Sequence, residues 1–137
     1  MSAELTGGCG CGAVKFEISE PLTAAAYCHC TRCQVRTGTA ASATAVIPQG
    51  SLTLLSGEEH LAGWTPEGGM EKMFCRECGS HLFGRRPGGE ISLVRLGAFD
   101  GDPGVRPQAR QYVAYAAPWE DIPEDGLPRF DEAIPRR

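Results

Sequence analysis

Cysteine spacing sets the tightest limit on what this chain can fold into. Seven cysteines occur in 137 residues, and none stands alone. Cys9 and Cys11 form a C-x-C pair, Cys75 and Cys78 a C-x-x-C pair, and Cys28, Cys30 and Cys33 fall within the one stretch YCHCTRCQVRTG, residues 27–38. Cysteines that merely fill a core behave as small hydrophobes and have no reason to recur at such intervals. An odd number with one- and two-residue gaps is also a poor disulfide framework. The spacing matches neither the bacterial nor the plant-type ferredoxin pattern, which turns the reading from iron–sulfur clusters to zinc.

The thiols divide by design. Cys9-x-Cys11-Gly12 and Cys75-x-x-Cys78-Gly79 each place two cysteines before a glycine, the residue that lets a backbone turn tightly around a metal-bound sulfur. Together they make a closed tetrahedral set of four thiolates, the arrangement of a structural zinc, which ties the N-terminal strands to the middle of the chain. Cys28, Cys30 and Cys33 then supply three ligands and leave a fourth position open. A different pairing, with Cys75 and Cys78 joined to two cysteines of the cluster and Cys9 and Cys11 left free, also fits the spacing.

Three thiolates on Zn²⁺ give a net charge of about -1 and a weak Lewis acid, so hydrolysis is disfavoured. A soft ligand suits the open position better, because zinc deprotonates a coordinating thiol and holds it as a nucleophile. The candidate chemistry is attack by a small thiol on an electrophile, with Cys28, Cys30 and Cys33 as the catalytic residues. His29 sits between two of these cysteines and is expected to face away from them, capping the turn or orienting the cluster. His81 is a candidate donor to a ligating sulfur, and His60 is expected to be solvated. Arg36, Arg85 and Arg86 are candidates for holding the carboxylates of an anionic thiol such as glutathione.

The net charge of -4 and a pI near 5.4 oppose nucleic-acid binding, which needs a basic face. No apolar run reaches the roughly 18 residues of a membrane helix, and the N-terminus lacks a signal-peptide pattern, so a cytoplasmic protein is expected. Val14, Phe16 and Ile18 alternate with Lys15 and Glu17, the period-two signature of a strand with one buried face. Further strands are expected over 22–27, 40–47, 52–55, 71–74, 81–83, 91–96 and 111–115, with no long amphipathic helix. The expected fold is mostly β, with small antiparallel sheets in a single domain over 1–137 and an irregular tail at 118–137.

The motifs GGCGCGAVKFE, CHCTRCQVRTG and FCRECGSHLF, followed by Arg106-Pro107 and Ala117-Pro118-Trp119, occur in order across residues 7–119. In this the chain resembles the glutathione-dependent formaldehyde-activating enzyme family, also called the centromere protein V/Gfa family. The resemblance implies a tent-like zinc-binding β fold. It also implies a structural zinc on Cys9, Cys11, Cys75 and Cys78, and a second zinc on Cys28, Cys30 and Cys33. The implied activity is a carbon–sulfur lyase reaction read backwards, joining glutathione to formaldehyde as in an S-(hydroxymethyl)glutathione synthase. The alternative is a non-catalytic zinc module that binds a thiol or a protein partner, in which the open position would be capped, for instance by His29 or His81. Neither reading implies an oligomeric state.

Overall fold

The fold, taken from a computed structural model that describes residues 5–135, is mostly β. In chain order the strands are β1 (Leu5–Gly8), β2 (Lys15–Ile18), β3 (Ala24–Cys28), β4 (Ser42–Val46), β5 (Leu52–Ser56), β6 (Leu61–Trp64), β7 (Glu71–Cys75), β8 (His81–Arg85), β9 (Ile91–Arg95) and β10 (Arg110–Gln111). A short helix, α1 (Thr31–Thr37), follows β3, and 3-10 turns occupy Glu58–His60, Leu96–Ala98 and Val113–Tyr115. The chain forms two compact units, one from the residues up to Thr23 with Ala45–Val105, the other from Ala24–Thr44 with the chain from Arg106 onward. No helix among the described residues is long and apolar enough to cross a membrane.

The first unit carries the antiparallel sheet β1-β2-β5 and the strand order β9-β8-β7-β6, also antiparallel. The alternation read in the sequence is realised here: Val14, Phe16 and Ile18 are fully buried while Lys15 is exposed. The Phe16 ring meets Phe83 and Phe99 edge-on, at centroid distances of 5.2 and 5.7 Å, the geometry in which a positive ring edge faces a negative ring face. Gly7, the partner of Phe16 across the β1–β2 ladder, leaves room for that ring, since a Cβ there would lie 2.3 Å from the Ala98 carbonyl oxygen and 2.4 Å from Phe16 Cζ. The cysteine-bearing turns hang from this core, one entering β2 and the other joining β7 to β8.

In the second unit β3 and β10 pair in parallel, with Tyr27 opposite Arg110 and Cys28 opposite Gln111. The Tyr27 N–H donates to Ala109 O and the His29 N–H to Gln111 O, both at 3.0 Å. The C-terminal segment is irregular but tied down. Arg110 N–H donates to Pro128 O, Phe130 N–H to Arg110 O, Tyr112 N–H to Glu132 O and Val113 N–H to Phe130 O, at 2.9–3.0 Å.

Two local expectations are corrected. The strand expected over 111–115 ends at Gln111, because Tyr112 adopts a left-handed backbone (φ 58°) and the chain coils into the Val113–Tyr115 turn. A non-glycine residue rarely takes that conformation. The N–H groups of Tyr112 and Val113, freed from any ladder, are satisfied by the tail carbonyls just named. The cysteine cluster, read from the sequence without any helix, follows β3 and continues into α1. Cys30 caps the helix by accepting the Cys33 N–H on its sulfur, and Gly38 ends it in the left-handed region (φ 69°) with its N–H on Gln34 O at 2.8 Å.

Candidate metal centres

Cys9, Cys11, Cys75 and Cys78 bring their four sulfurs within 4.8 Å of one another. Cys9 Sγ lies 3.6 Å from Cys11 Sγ, and Cys11 Sγ lies 3.9 Å from Cys75 Sγ. A tetrahedral zinc with Zn–S bonds of about 2.3 Å has an S···S edge of about 3.8 Å, so these spacings fit that ion. Two short turns deliver the ligands. In the first, Gly12 N–H donates to Cys9 O, Cys9 N–H to Val14 O and Val14 N–H to Cys9 Sγ. In the second, Gly79 N–H donates to Cys75 O and Cys75 N–H to Ser80 O. Gly12 and Gly79 take φ of 82° and 80°, which is why each pair is followed by a glycine. Ser80 joins the two turns, its hydroxyl accepting the Gly10 N–H at 2.9 Å and lying 3.2 Å from Cys78 Sγ.

The thiols of this group are unequal. The Ser80 hydroxyl, then the Ser80 and Cys11 backbone N–H groups, bring Cys78 down to about 5. Cys11 is pushed up to about 11: the Ala13 backbone N–H works downward, and Cys9, burial and the other two thiols outweigh it. All seven cysteines are free of disulfides.

Cys28, Cys30 and Cys33 form the second group, again with all sulfurs within 4.8 Å. Among the described residues no fourth His, Cys, Asp or Glu atom completes it. Crowding has a cost at Cys28: the Cys33 hydrogen bond, followed by desolvation, drives its thiol far above its ordinary value. A cation in their midst removes that cost by favouring the thiolates, which is the chemistry of a soft-metal donor set.

His29 faces away from these sulfurs. In an extended strand alternate side chains take opposite faces, so Cys28 points one way while Tyr27, His29 and the register partner Arg110 share the other. On that side a cavity of about 280 Å³ is lined by Tyr27, His29, Ala40, Arg110, Glu120 and Asp121 among others. His29 and Arg110 are 4% and 6% exposed, and Arg110 Nη1 lies 3.2 Å from His29 Nε2. Guanidinium only donates, so Nε2 accepts and the ring carries its proton on Nδ1. Burial, then the Arg110 charge, holds His29 below its ordinary pKa. Asp125 accepts from Arg110 Nη2 at 2.6 Å and Nε at 3.2 Å, and the guanidinium carbon stands 4.3 Å from the Tyr27 ring centroid.

The remaining candidates are distributed as follows. His60 is part-buried, with Nδ1 3.2 Å from Glu77 and Nε2 3.4 Å from Glu59, so it is paired and not simply solvated. Arg85 is held by Glu71 at 2.5 Å, which leaves it a poor partner for a ligand carboxylate. Arg86 is exposed, and Arg36 lies in the last turn of α1. His81 opens β8, three residues after Cys78. Sequence reasoning missed Arg110 and Asp125, because no spacing rule links Arg110 to a histidine 81 residues away or Asp125 to that arginine.

The model of the family described as glutathione-dependent formaldehyde-activating enzyme matches residues 4–115. Two similar proteins, from Sordaria macrospora and Aspergillus flavus, are provisionally named glutathione-dependent formaldehyde-activating enzymes. They are 27% identical over 54% of this chain and 31% identical over 42% of it. The matched stretches span only 31% and 30% of those proteins' own length. A crystal structure of a Rhodobacter sphaeroides protein, 26% identical, aligns over 91% of this chain and 98% of its own, with a TM-score of 0.56. With the family model covering both cysteine-rich turns and the three-cysteine cluster, this chain belongs to the glutathione-dependent formaldehyde-activating enzyme family.

Proposed function

We propose that the chain is a zinc-dependent carbon–sulfur lyase that forms or breaks the adduct of a small thiol, such as glutathione, with formaldehyde or another small electrophile. The observation that carries this reading is the contrast between the two thiol groups: four sulfurs in one and, among the described residues, three with no fourth ligand in the other. Cys9, Cys11, Cys75 and Cys78 hold a structural zinc. Cys28, Cys30 and Cys33 hold the second, where the metal supplies the means of keeping a substrate thiol deprotonated at neutral pH. His29 does not cap that position, since its Nε2 is committed to Arg110.

In the adduct-forming direction the thiol sulfur adds to the carbonyl carbon, one S–C bond forms, the C=O π bond opens, and the oxygen takes up the proton the thiol gave up. No electron acceptor is needed. The chain's own part is to bind and orient. Cys28 is fixed by the β3–β10 ladder, while Cys30 and Cys33 are locked to each other by the helix cap. Seven cysteines kept reduced as metal ligands suit a reducing compartment, which supports a cytoplasmic location.

The test is turnover of glutathione with formaldehyde, followed by NMR of the S–CH2–OH product, together with zinc content per chain. Two zincs and turnover are expected for the native chain. Cys30→Ser should abolish turnover and leave the four-cysteine zinc in place. Full activity of Cys30→Ser would sink the open-site mechanism, and two zincs without adduct chemistry would leave a thiol- or protein-binding module.

A further inference from the structure

Arg110 is a buried cation, and removing a charge from water carries a cost of several kcal/mol unless close partners offset it. Here the partners are elaborate. Asp125 takes two of its N–H groups, the Tyr27 ring lies against its face, and the third contact goes to His29 Nε2. Only that last contact leads anywhere else. His29 stands between Cys28 and Cys30, so whatever fixes its backbone and ring fixes the directions in which both sulfurs leave the chain.

The histidine is held through both its backbone and its ring. Its N–H donates to Gln111 O at 3.0 Å, and its carbonyl accepts from Gln34 Nε2 at 2.8 Å. The same Gln34 group donates to Tyr115 O at 2.8 Å, which ties α1 to the segment after β10. The third grip is the Arg110 contact to the ring. The first two hold the backbone, while the ring is held at Nε2 by Arg110 and by a further hydrogen bond to the Ala40 backbone.

We propose that Arg110 is a positioning residue for the three-cysteine centre: through the His29 ring it holds the Cys28–Cys30 turn so that the three sulfurs are gathered before a metal arrives. This rests on the reading that Cys28, Cys30 and Cys33 bind a metal, though not on any substrate or reaction. It assigns the buried Arg110–Asp125 pair a purpose beyond stability. Asp125 and Tyr27 aim the guanidinium, and the guanidinium aims the histidine. Lysine cannot replace it, because one ammonium cannot serve Asp125 through two nitrogens and His29 through a third.

The experiment is Co²⁺ titration of the metal-free full-length chain, read from the thiolate-to-cobalt charge-transfer and d–d bands, which separate a four-thiolate from a three-thiolate environment. In the native chain both centres should fill. Arg110→Lys should weaken the three-cysteine centre about 10–100-fold and leave the four-cysteine centre unchanged, the range found when an outer partner of a metal site is lost. His29→Phe, which removes the acceptor, should do the same, and the double variant should be no worse than His29→Phe alone. Asp125→Asn, at a part-exposed side chain, frees one end of the guanidinium without burying a new group, and should give a smaller shift in the same direction. Native affinity at the three-cysteine centre in Arg110→Lys and Asp125→Asn overturns the proposal, as does simple additivity of Arg110→Lys with His29→Phe. If the native chain binds cobalt only at the four-cysteine centre, the metal reading of Cys28, Cys30 and Cys33 fails first and this inference with it.

Discussion

A single carboxylate decides how the buried cation of the second unit is tolerated. Arg110, through its hydrogen bonds to Asp125, holds that carboxyl below its ordinary value of 3.8. In the unfolded chain the group returns to that value, so below it the unfolded state binds more protons than the folded state. The stabilisation is therefore complete above about pH 4 and is lost as the pH falls through the folded pKa. Urea midpoints measured from pH 6 down to pH 2.5 should show the native chain losing stability faster than Asp125→Asn below pH 4, the two converging at the acid end. Parallel curves would mean that Asp125 contributes no linkage. None of this was legible in the sequence. Cys28, Cys30 and Cys33 announce themselves by spacing, whereas Arg110 and Asp125 matter only because a parallel strand pair sets Arg110 opposite Tyr27.

At the scale of elements, legibility followed the length and regularity of the pattern. Strand β2 was readable because Phe16 and Ile18 alternate with charges, and β7 and β8 because the C-x-x-C turn between them marks both ends. Helix α1 was not, since its seven residues are too few for an amphipathic period and none of its side chains is buried. Its cap is also unusual: a cysteine sulfur stands where Ser, Thr, Asp or Asn normally sits. The clearest sequence signal for it was Gly38, in the left-handed conformation that ends many helices. Gly38→Ala meets no atom within 4 Å and so isolates the backbone cost, about 1–2 kcal/mol. The expected result is a lowered thermal midpoint with secondary-structure content unchanged. An unchanged midpoint would show that the helix end relaxes freely.

Across the whole chain the two candidate metal centres differ in what they tie together. Cys11 and Cys75 are 64 residues apart, while Cys28 and Cys33 lie within one strand end and one helical turn. Closing the longer loop removes about 2 kcal/mol more chain entropy from the unfolded state than closing the shorter one. Structural zinc contributes on the order of 10 kcal/mol to small folds, comparable with the whole margin of about 5–15 kcal/mol of an ordinary domain. The four-cysteine centre also sits directly against buried structure: Cys75 is fully buried at the end of β7, and Cys9 leads into Val14, itself fully buried. Cys75→Ser should therefore take most of the stability with it, giving a chain that is unfolded or aggregated at ambient temperature. Cys30→Ser, at the cap of α1 where the neighbouring ladder and the Gln34 bonds persist without metal, should lower the thermal midpoint by only a few degrees, for a loss of about 1 kcal/mol. Thermal melts of the two variants beside the native chain, each with and without a chelator, measure the difference. Equal losses from both substitutions would mean that the three-cysteine centre carries the fold as much as the four-cysteine one, and would remove the division of labour between a structural and an open site.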